Sequence, residues 1–531
     1  MGDIAQRNPG AADDPVPLRT QSFTQFKGIY TRASRTAIPD DYFYNLENMI
    51  PIGAENLHTV PGPSATLIDY TTDTIYWSQG VNLNGTEYLV NFATNGKIFF
   101  YNIGAKTSAQ VNGGNLFSGA GSQCDQWKNT IILFIDSTGY YSYDGTTFSK
   151  ITGVGVPAAG NSIAVYSGRV WIVNGRVLTT SALDDYTAAA FAAANGAVTT
   201  NLTDPQIRGT VQRLKAQNGY LYLIANTGIN AISDVYVPAG ASPPAPVFAN
   251  QNIQAIIGTD QPASTFPYDR LLMFASRYGM HSLFGVTAPK VSGNIDGTWQ
   301  YLDFSQSISG GQVVVNNILC AAFLLKRLND PLFGSNTIIA LWFQNSDVAP
   351  QTGVTETADI WWFGNFGSVT FIVSGIVNNV PALFGFVGNK LIQFFTDTAH
   401  LPTATVQTKL WPMEDPLARK EAVVAGVEFY AYTIGTGITL SLDTENNVTP
   451  LSFSPNLSMG TWINAALQTG LWYNSALTQG VWSAIGGTLF LVPTDPKGGY
   501  GRHLGLTFTS TGYNIEMHML SIDYKLRDRW L

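Results

Sequence analysis

Five histidines, two cysteines and a handful of acidic pairs are the residues in this 531-residue chain whose types could do chemistry. His58, His281, His400, His503 and His518 are scattered, and no two have the i, i+4 spacing that places imidazoles on one helix face around a metal. His518 stands between Met517 and Met519 in a strand-like run and reads as a packed or edge histidine. Cys124 and Cys320 give no disulfide framework; Cys320 lies in the apolar run 318–325, so both read as buried free thiols. Asp40-Asp41 and Asp184-Asp185 are adjacent pairs in turn-like settings, and neighbours on a strand face opposite ways, which suits turns better than acid–base couples. No stretch has the glycine, lysine and hydroxyl spacing that cradles nucleotide phosphates, and "GVGVPAAG" (153–160) lacks the dinucleotide spacing. The serines of "STGYYS" and "GTTFSK" have no nucleophile-elbow context. The expectation is a protein without enzymatic activity, with no catalytic, cofactor-binding or metal-binding residues and no cofactor. Paired glycosidase carboxylates, which come from distant positions, stay outside what spacing can test.

The elements that would position such residues are strands. Gly (52), Tyr (24) and Phe (29) are abundant, and charged residues make up only 12% against a usual quarter. "TEYLVNF" turns at Asn95-Gly96 into "KIFFYN", "RVWIV" at Asn174-Gly175 into "RVLTTS", and "YLYLIA" at Thr227-Gly228 into "INAISDVYV". Such turn pairs between apolar alternations are the strongest short hairpin signal. Leu89, Ile131, Val170, Leu221 and Leu271 mark the first strands of recurring hairpins, forty to fifty residues apart, a propeller-blade period. With candidates at 337–343 and 382–397, six to seven blades are expected. "YTAAAFAAANG" (186–196) reads as a short helical insert between blades.

The chain therefore reads as all-β, a β-propeller followed by a C-terminal β-sandwich-like domain. The expected division is a flexible arm at 1–22, the propeller at 23–400 and the sandwich-like domain at 401–531. In the last strand, Ile515, Met517 and Met519 share one face and Leu520, Ile522 and Tyr524 the other, which calls for a bulge near Met519–Leu520 or burial on both faces.

Within the C-terminal region Trp462, Trp472 and Trp482 stand ten residues apart, with Asn464/Asn474, Ala466/Ala476 and Leu467/Leu477 in step. An extended segment would put all three rings on one face; a turn per repeat would make a series of small hairpins. Three such rings left in water would form an adhesive patch, so they meet their own domain, another subunit or a partner protein, or a sugar. The basic residues Arg19, Lys27, Arg32, Arg35 and "KLRDRW" (525–530) read as salt-bridged or solvated faces ahead of phosphate contacts. A net charge of −8 opposes tight duplex binding without opposing passage of a duplex. No apolar stretch is long enough to span a bilayer, and the start "MGDIAQRNPG" has no signal core, so a soluble protein without a secretion signal is expected.

Residues 26–62, "FKGIYTRASRTAIPDDYFYNLENMIPIGAENLHTVPG", have an ordered set of features: a Thr-Arg, an Ile-Pro, Leu46-Glu47-Asn48-Met49 and a closing Pro61-Gly62. This stretch resembles the N-terminal signature of the β-propeller tail hub or nozzle proteins of short-tailed bacteriophages, also called packaged-DNA stabilisation proteins. The segment 501–530 and the hairpins around 176–198 and 219–235 are similar to the same group. Thr59-Val60 stands where relatives commonly place a basic residue. The resemblance implies a homohexameric ring in the virion tail, assembled in the host cytoplasm, lying between adaptor or portal-side proteins and distal tail proteins. Duplex DNA would pass through its lumen without sequence-specific binding. The alternative is a tail-associated carbohydrate-binding module using Trp462, Trp472 and Trp482.

Overall fold

The computed structural model describes residues 17–53, 55–117, 123–330, 333–348, 355–432, 436–451, 462–463, 469–470, 472–473, 479–480, 488–493 and 499–529. The chain divides into two compact units: Val60–Pro402, and Met1–Thr59 together with Thr403–Leu531.

The first unit is a seven-bladed β-propeller, which fixes the blade number that spacing left at six to seven. Its antiparallel sheets occupy 75–110, 123–151, 162–201, 208–254, 266–283, 310–364 and 369–393. Blades 1 to 4 and blade 6 have four strands each, and blade 5 has three. Blade 7 takes three strands from 369–393 and a fourth, Ile68–Asp69, from the start of the unit: Ile68 pairs with Leu391 and Asp69 with Lys390. That borrowed strand closes the ring, and the inner strands Val369–Val377 and Ile75–Leu83 then lie side by side. They pack so tightly that a Cβ on Gly80 would stand 2.6 Å from the Ser374 carbonyl oxygen.

The turn between first and second strands is nearly uniform. Two successive residues adopt left-handed backbone at Asn84-Gly85, Lys128-Asn129, Ser167-Gly168, Asn218-Gly219, Asn316-Asn317 and Asn378-Asn379, and Asp269 does so in blade 5. This is the tight hairpin turn whose twist matches that of the strands, and Asn, Asp and Gly tolerate it at least cost. Between blades the core is apolar and aromatic. Phe92, Phe100, Phe117, Phe134, Tyr141 and Phe148 interlock with ring centroids 5.0–6.4 Å apart across blades 1 and 2. Tyr268 meets Trp342 at 5.4 Å between blades 5 and 6.

Two expectations need correction here. Leu89, Ile131, Val170, Leu221 and Leu271 lie in second strands, because second and third strands are buried on both sides and carry the densest apolar pattern. The segment 186–196 forms two 3-10 turns, Ala188–Phe191 and Ala193–Asn195, between the third and fourth strands of blade 3 and not between blades. Phe191 anchors it, edge-on to Tyr140 of blade 2 at 5.4 Å.

The second unit is a β-sandwich. One sheet contains Met49–Ile52, Asn56–Thr59, Ile515–Arg529, Ala418–Ala431 and Thr488–Pro493, with Arg19–Phe23 also paired to Ile515–Arg529. The facing strands are Asn45–Glu47, Ala404–Gln407, Leu504–Thr511, Gly437–Thr444 and Val448–Leu451. Phe429 and Phe508 meet between the layers at 5.8 Å. The expected boundaries 1–22, 23–400 and 401–531 shift accordingly: residues 19–22 pair in a strand, and the segment up to Thr59 belongs with the C-terminal unit. The phase slip in the last strand is a bulge. Glu428 pairs with Met519 and Phe429 with Met517, leaving His518 as the extra residue, one position before the expected place. Ile515 and Met517 are buried before it, and Leu520, Ile522 and Tyr524 after it.

Candidate functional site

The propeller axis brings polar side chains together from blades that are not neighbours. Arg213, on the inner strand Arg208–Gln217 of blade 4, reaches across to blade 1, where its Nη2 donates to Gln79 Oε1 at 3.2 Å. Its guanidinium lies 5.3 Å from the ring centroid of Trp77, also in blade 1. Gln123 of blade 2 donates from Nε2 to the Gln212 carbonyl at 3.2 Å, and Gln79 donates to the Cys124 carbonyl at 2.9 Å. Ser162 of blade 3 donates to Gln123 and accepts from the Leu214 amide at 2.9 Å. In a seven-membered ring blades 1 and 4 are separated by two others on one side and three on the other, so a side chain linking them spans the centre. At this level the axis is closed by protein. Nothing in the sequence around Arg213 separates it from an ordinary strand arginine.

Two strides of the tryptophan repeat each contain a short antiparallel pair. Trp462–Ile463 pairs with Thr469–Gly470, and Trp472–Tyr473 with Gln479–Gly480, so each Trp stands opposite the Gly eight residues on. Trp482 lies outside the described residues.

The basic residues near the N-terminus are largely occupied within their own unit. Arg19 pairs with Glu414, Lys27 with Asp41 at 2.6 Å, and Arg35 with Asp443. Asp443 is 1% exposed and also accepts from Thr507 Oγ1 at 2.6 Å. Arg32 is exposed. In the terminal run, Arg527 pairs with Glu421. The acidic pairs act as turn and ion-pair residues: Asp40 holds Lys409 at 2.7 Å, Asp184 holds Lys128 at 3.2 Å, and Asp185 accepts from the Thr187 amide at 2.8 Å.

Three histidines are likewise held in contacts within their own units. His281 is buried, stacked on Phe274 at 5.3 Å, with its Nε2 3.1 Å from Ser276 Oγ. Burial lowers its pKa to about 4. His58 and His518 flank one oxygen of Glu516 at 3.6 and 3.5 Å, and Tyr432 donates to the other. Burial, ahead of the opposing pull of Glu516, lowers the His58 pKa. Among the described residues no group of three or more His, Cys, Asp or Glu is placed to hold a metal ion. Both cysteines are buried free thiols, and burial pushes Cys124 up to about 12. A hollow of about 440 Å³ between blades 6 and 7 is lined by amides and hydroxyls such as Gln306, Asn336 and Ser368, with Lys326, and holds no carboxylate or imidazole. Among the described residues no helix is long and apolar enough to cross a membrane.

No protein-family model matches the chain, and no curated protein matches it by sequence. Among solved structures it is similar to one titled "Structure of U3-55K", at 9% identity and a TM-score of 0.35 over 63% of this chain and 100% of that one. It is also similar to one titled "Crystal structure of RRP9 WD40 repeats", at 10% identity and a TM-score of 0.35 over 64% of this chain and 100% of that one. Likenesses this slight decide nothing about partner or activity. The propeller is defined by its own sheet order and its borrowed closing strand.

Proposed function

We propose that the protein is a non-enzymatic structural component of a bacteriophage tail, a hub or nozzle whose copies, six in the expected assembly, form a ring around the path of packaged DNA. The reading rests above all on the way the two stretches that resemble that family come together. Strands from 19–59 and from 501–529 are some 450 residues apart in sequence and form one sandwich, with Arg19 opposite Tyr524 and Leu57 opposite Met517. Residues that recur together in a family signature are then residues of one folded unit.

The closed propeller axis gives this role a geometry. A duplex does not thread an individual propeller whose centre is spanned by Arg213 and Gln79, so its passage lies between copies. Six copies carry about −48, six times −8, and a polar or acidic wall repels phosphates and favours sliding over sticking. A charge-poor surface leaves long polar and aromatic faces for contact between copies and with adaptor-side and distal tail proteins.

The test is the mass and shape of the full-length protein, alone and mixed with tail complexes, by native mass measurement and electron microscopy. Sixfold rings, formed alone or only on the tail, are the expected result. A chain that stays monomeric in both settings and binds glycans through Trp462 and Trp472 would instead establish the carbohydrate-binding reading.

A further inference from the structure

A cleft of about 560 Å³ opens between blades 1 and 7 and shares no lining residue with the hollow between blades 6 and 7. Strand register brings its walls together. In blade 1 Tyr88 pairs with Asn102 and Leu89 with Tyr101, and the Ile103 amide donates to the Glu87 carbonyl at 3.1 Å, so Glu87, Leu89, Tyr101 and Ile103 share one face. That face looks at blade 7: a Cβ on Gly375 would stand 2.8 Å from Ile103 Cδ1, 3.0 Å from Phe384 Cε2 and 3.2 Å from Leu89 Cδ2. On the blade 7 side Phe384 pairs with Gln393, and the Phe384 ring meets that of Tyr101 edge-on at 6.3 Å. Glu87 and Tyr101 are diagonal neighbours, roughly 7–8 Å apart along their face. Glu87, Tyr101, Phe384 and Gln393 therefore border one space from two blades.

Tyr101 is 1% exposed, yet among the described residues its hydroxyl has no hydrogen-bond partner. Burial raises its pKa to about 12, so the hydroxyl stays protonated and offers both a donor and an acceptor. Glu87 gives one oxygen to Asn82 Nδ2 at 2.6 Å and keeps the other, and among the described residues the Gln393 side chain makes no hydrogen bond. The volume suits a small-molecule site, which typically takes roughly 300–1,000 Å³. Its charges cancel, because Glu87 and Lys106 are the only charged side chains in the lining. An anion would meet Glu87, a cation would meet Lys106, and an apolar molecule would strand Tyr101, Glu87 and Gln393 without partners. A carboxylate, an amide and a hydroxyl beside the apolar Ile103 and Phe384 match a neutral ring with hydroxyls on its edge and C–H groups on its face.

We propose that this cleft binds a neutral mono- or disaccharide, with Glu87, Tyr101 and Gln393 bonding its hydroxyls and Ile103 and Phe384 against a ring face. The site uses propeller residues alone and rests neither on the tail reading nor on Trp462 and Trp472.

Full-length protein is screened by saturation-transfer NMR against glucose, galactose, mannose, N-acetylglucosamine, maltose and lactose, with glucuronate and glucosamine as charged controls, and affinities are then measured by calorimetry. The expected result is saturable binding of at least one neutral sugar, tighter than that of either charged control. Tyr101→Phe keeps the ring and removes only the hydroxyl, and should weaken the apparent affinity about tenfold. Gln393→Leu should weaken it at least as much, and Trp472→Ala should leave it unchanged. No binding across the panel, charged controls that bind as tightly as the neutral sugar, or equal affinity of wild type and Tyr101→Phe overturns the proposal. Loss of binding in Trp472→Ala alone would place the sugar on the tryptophan repeat and overturn it as well. Gln393→Leu gives the same decision from blade 7 where Tyr101→Phe fails to fold.

Discussion

Leu89 of the propeller pairs with Gly80 and Tyr101, nine and twelve residues away; Leu57 of the sandwich pairs with Met517. Both units are antiparallel sheets with aromatic cores, and this difference in reach separates them. A blade closes short loops whose entropy cost is small, and its register is set by left-handed turn residues such as Asn218-Gly219. The sandwich has to bring the two ends of the chain together across the whole propeller sequence. It fixes that arrangement with buried polar links between distant segments. Arg35 donates to the Thr408 carbonyl at 2.8 Å and to Asp443, Asn48 donates to the Thr403 carbonyl at 2.7 Å, and the Ile515 amide donates to Thr59 at 3.0 Å. Local turns specify the one unit and directional long-range bonds specify the other.

The sharpest way to break that contrast is Arg35→Ala. It strands Asp443, which is 1% exposed, as a buried carboxylate without its guanidinium partner. Removing one partner of a buried pair costs about 3–5 kcal/mol. Hydrogen exchange should show Gly437–Thr444 losing protection by that amount while Ile131–Asp136 of blade 2 keeps its own. Equal losses in both strands would mean that the two units unfold as one and that the contrast is only descriptive.

The same contrast explains what could be read in the sequence. The second strands were legible because Leu89, Ile131, Val170, Leu221 and Leu271 sit in dense apolar runs beside tight turns. First-strand turns such as Lys128-Asn129, Ser167-Gly168, Asn316-Asn317 and Asn378-Asn379 use the same left-handed backbone without an Asn-Gly or Asp-Gly pair, so they do not stand out as hairpin turns in the sequence. The closing strand Ile68–Asp69 has two residues and carries no periodicity. In the sandwich the bulge was legible from the burial phase around Met517 and Leu520, because that is local; the pairing of Arg19–Phe23 with the last strand is not local and left no trace. Arg213 was illegible as a site residue because its role comes from ring closure.

Acidification tests the contrast from the other side. His281 in blade 5 is 2% exposed, and burial, opposed by the Ala288 carbonyl and aided by Lys290, depresses its pKa to about 4. The unfolded chain takes up this proton near 6.5, the folded chain only near 4. Between those values the unfolded state holds the extra proton, so the propeller loses stability as pH falls from 6.5 to 4, by about 3 kcal/mol over the window. Chemical unfolding of wild type and His281→Gln at pH 7, 5.5 and 4 should show the slope flattening in the variant. The sandwich's His58, nearer solvent at 24% exposed and facing Glu516, should contribute a smaller term of the same sign. Equal slopes in wild type and His281→Gln would remove His281 as the source of acid sensitivity.

The smallest expected effect falls on the propeller's own long-range element. Gly62 donates to the Asp397 carbonyl at 2.8 Å and accepts from the Thr396 and Asp397 amides at 3.0 Å, so it starts the segment that runs on to the closing strand. A Cβ there would stand 1.9 Å from the His400 carbonyl oxygen, and backbone has to move to admit it. Gly62→Ala should therefore cost roughly 1–3 kcal/mol, as overpacking does. The loss should be confined to blade 7, read as faster exchange at Lys390–Gln393 with Tyr220–Thr227 of blade 4 unchanged. Gly85→Ala is the matched control: its φ of +79° is strained for alanine, yet nothing lies within 4 Å of the added methyl, so it should cost about 1 kcal/mol and act on blade 1. If Gly62→Ala behaves like Gly85→Ala, closure by the N-terminal strand is as local in its energetics as any hairpin turn. The propeller would then have no long-range element for comparison with the sandwich.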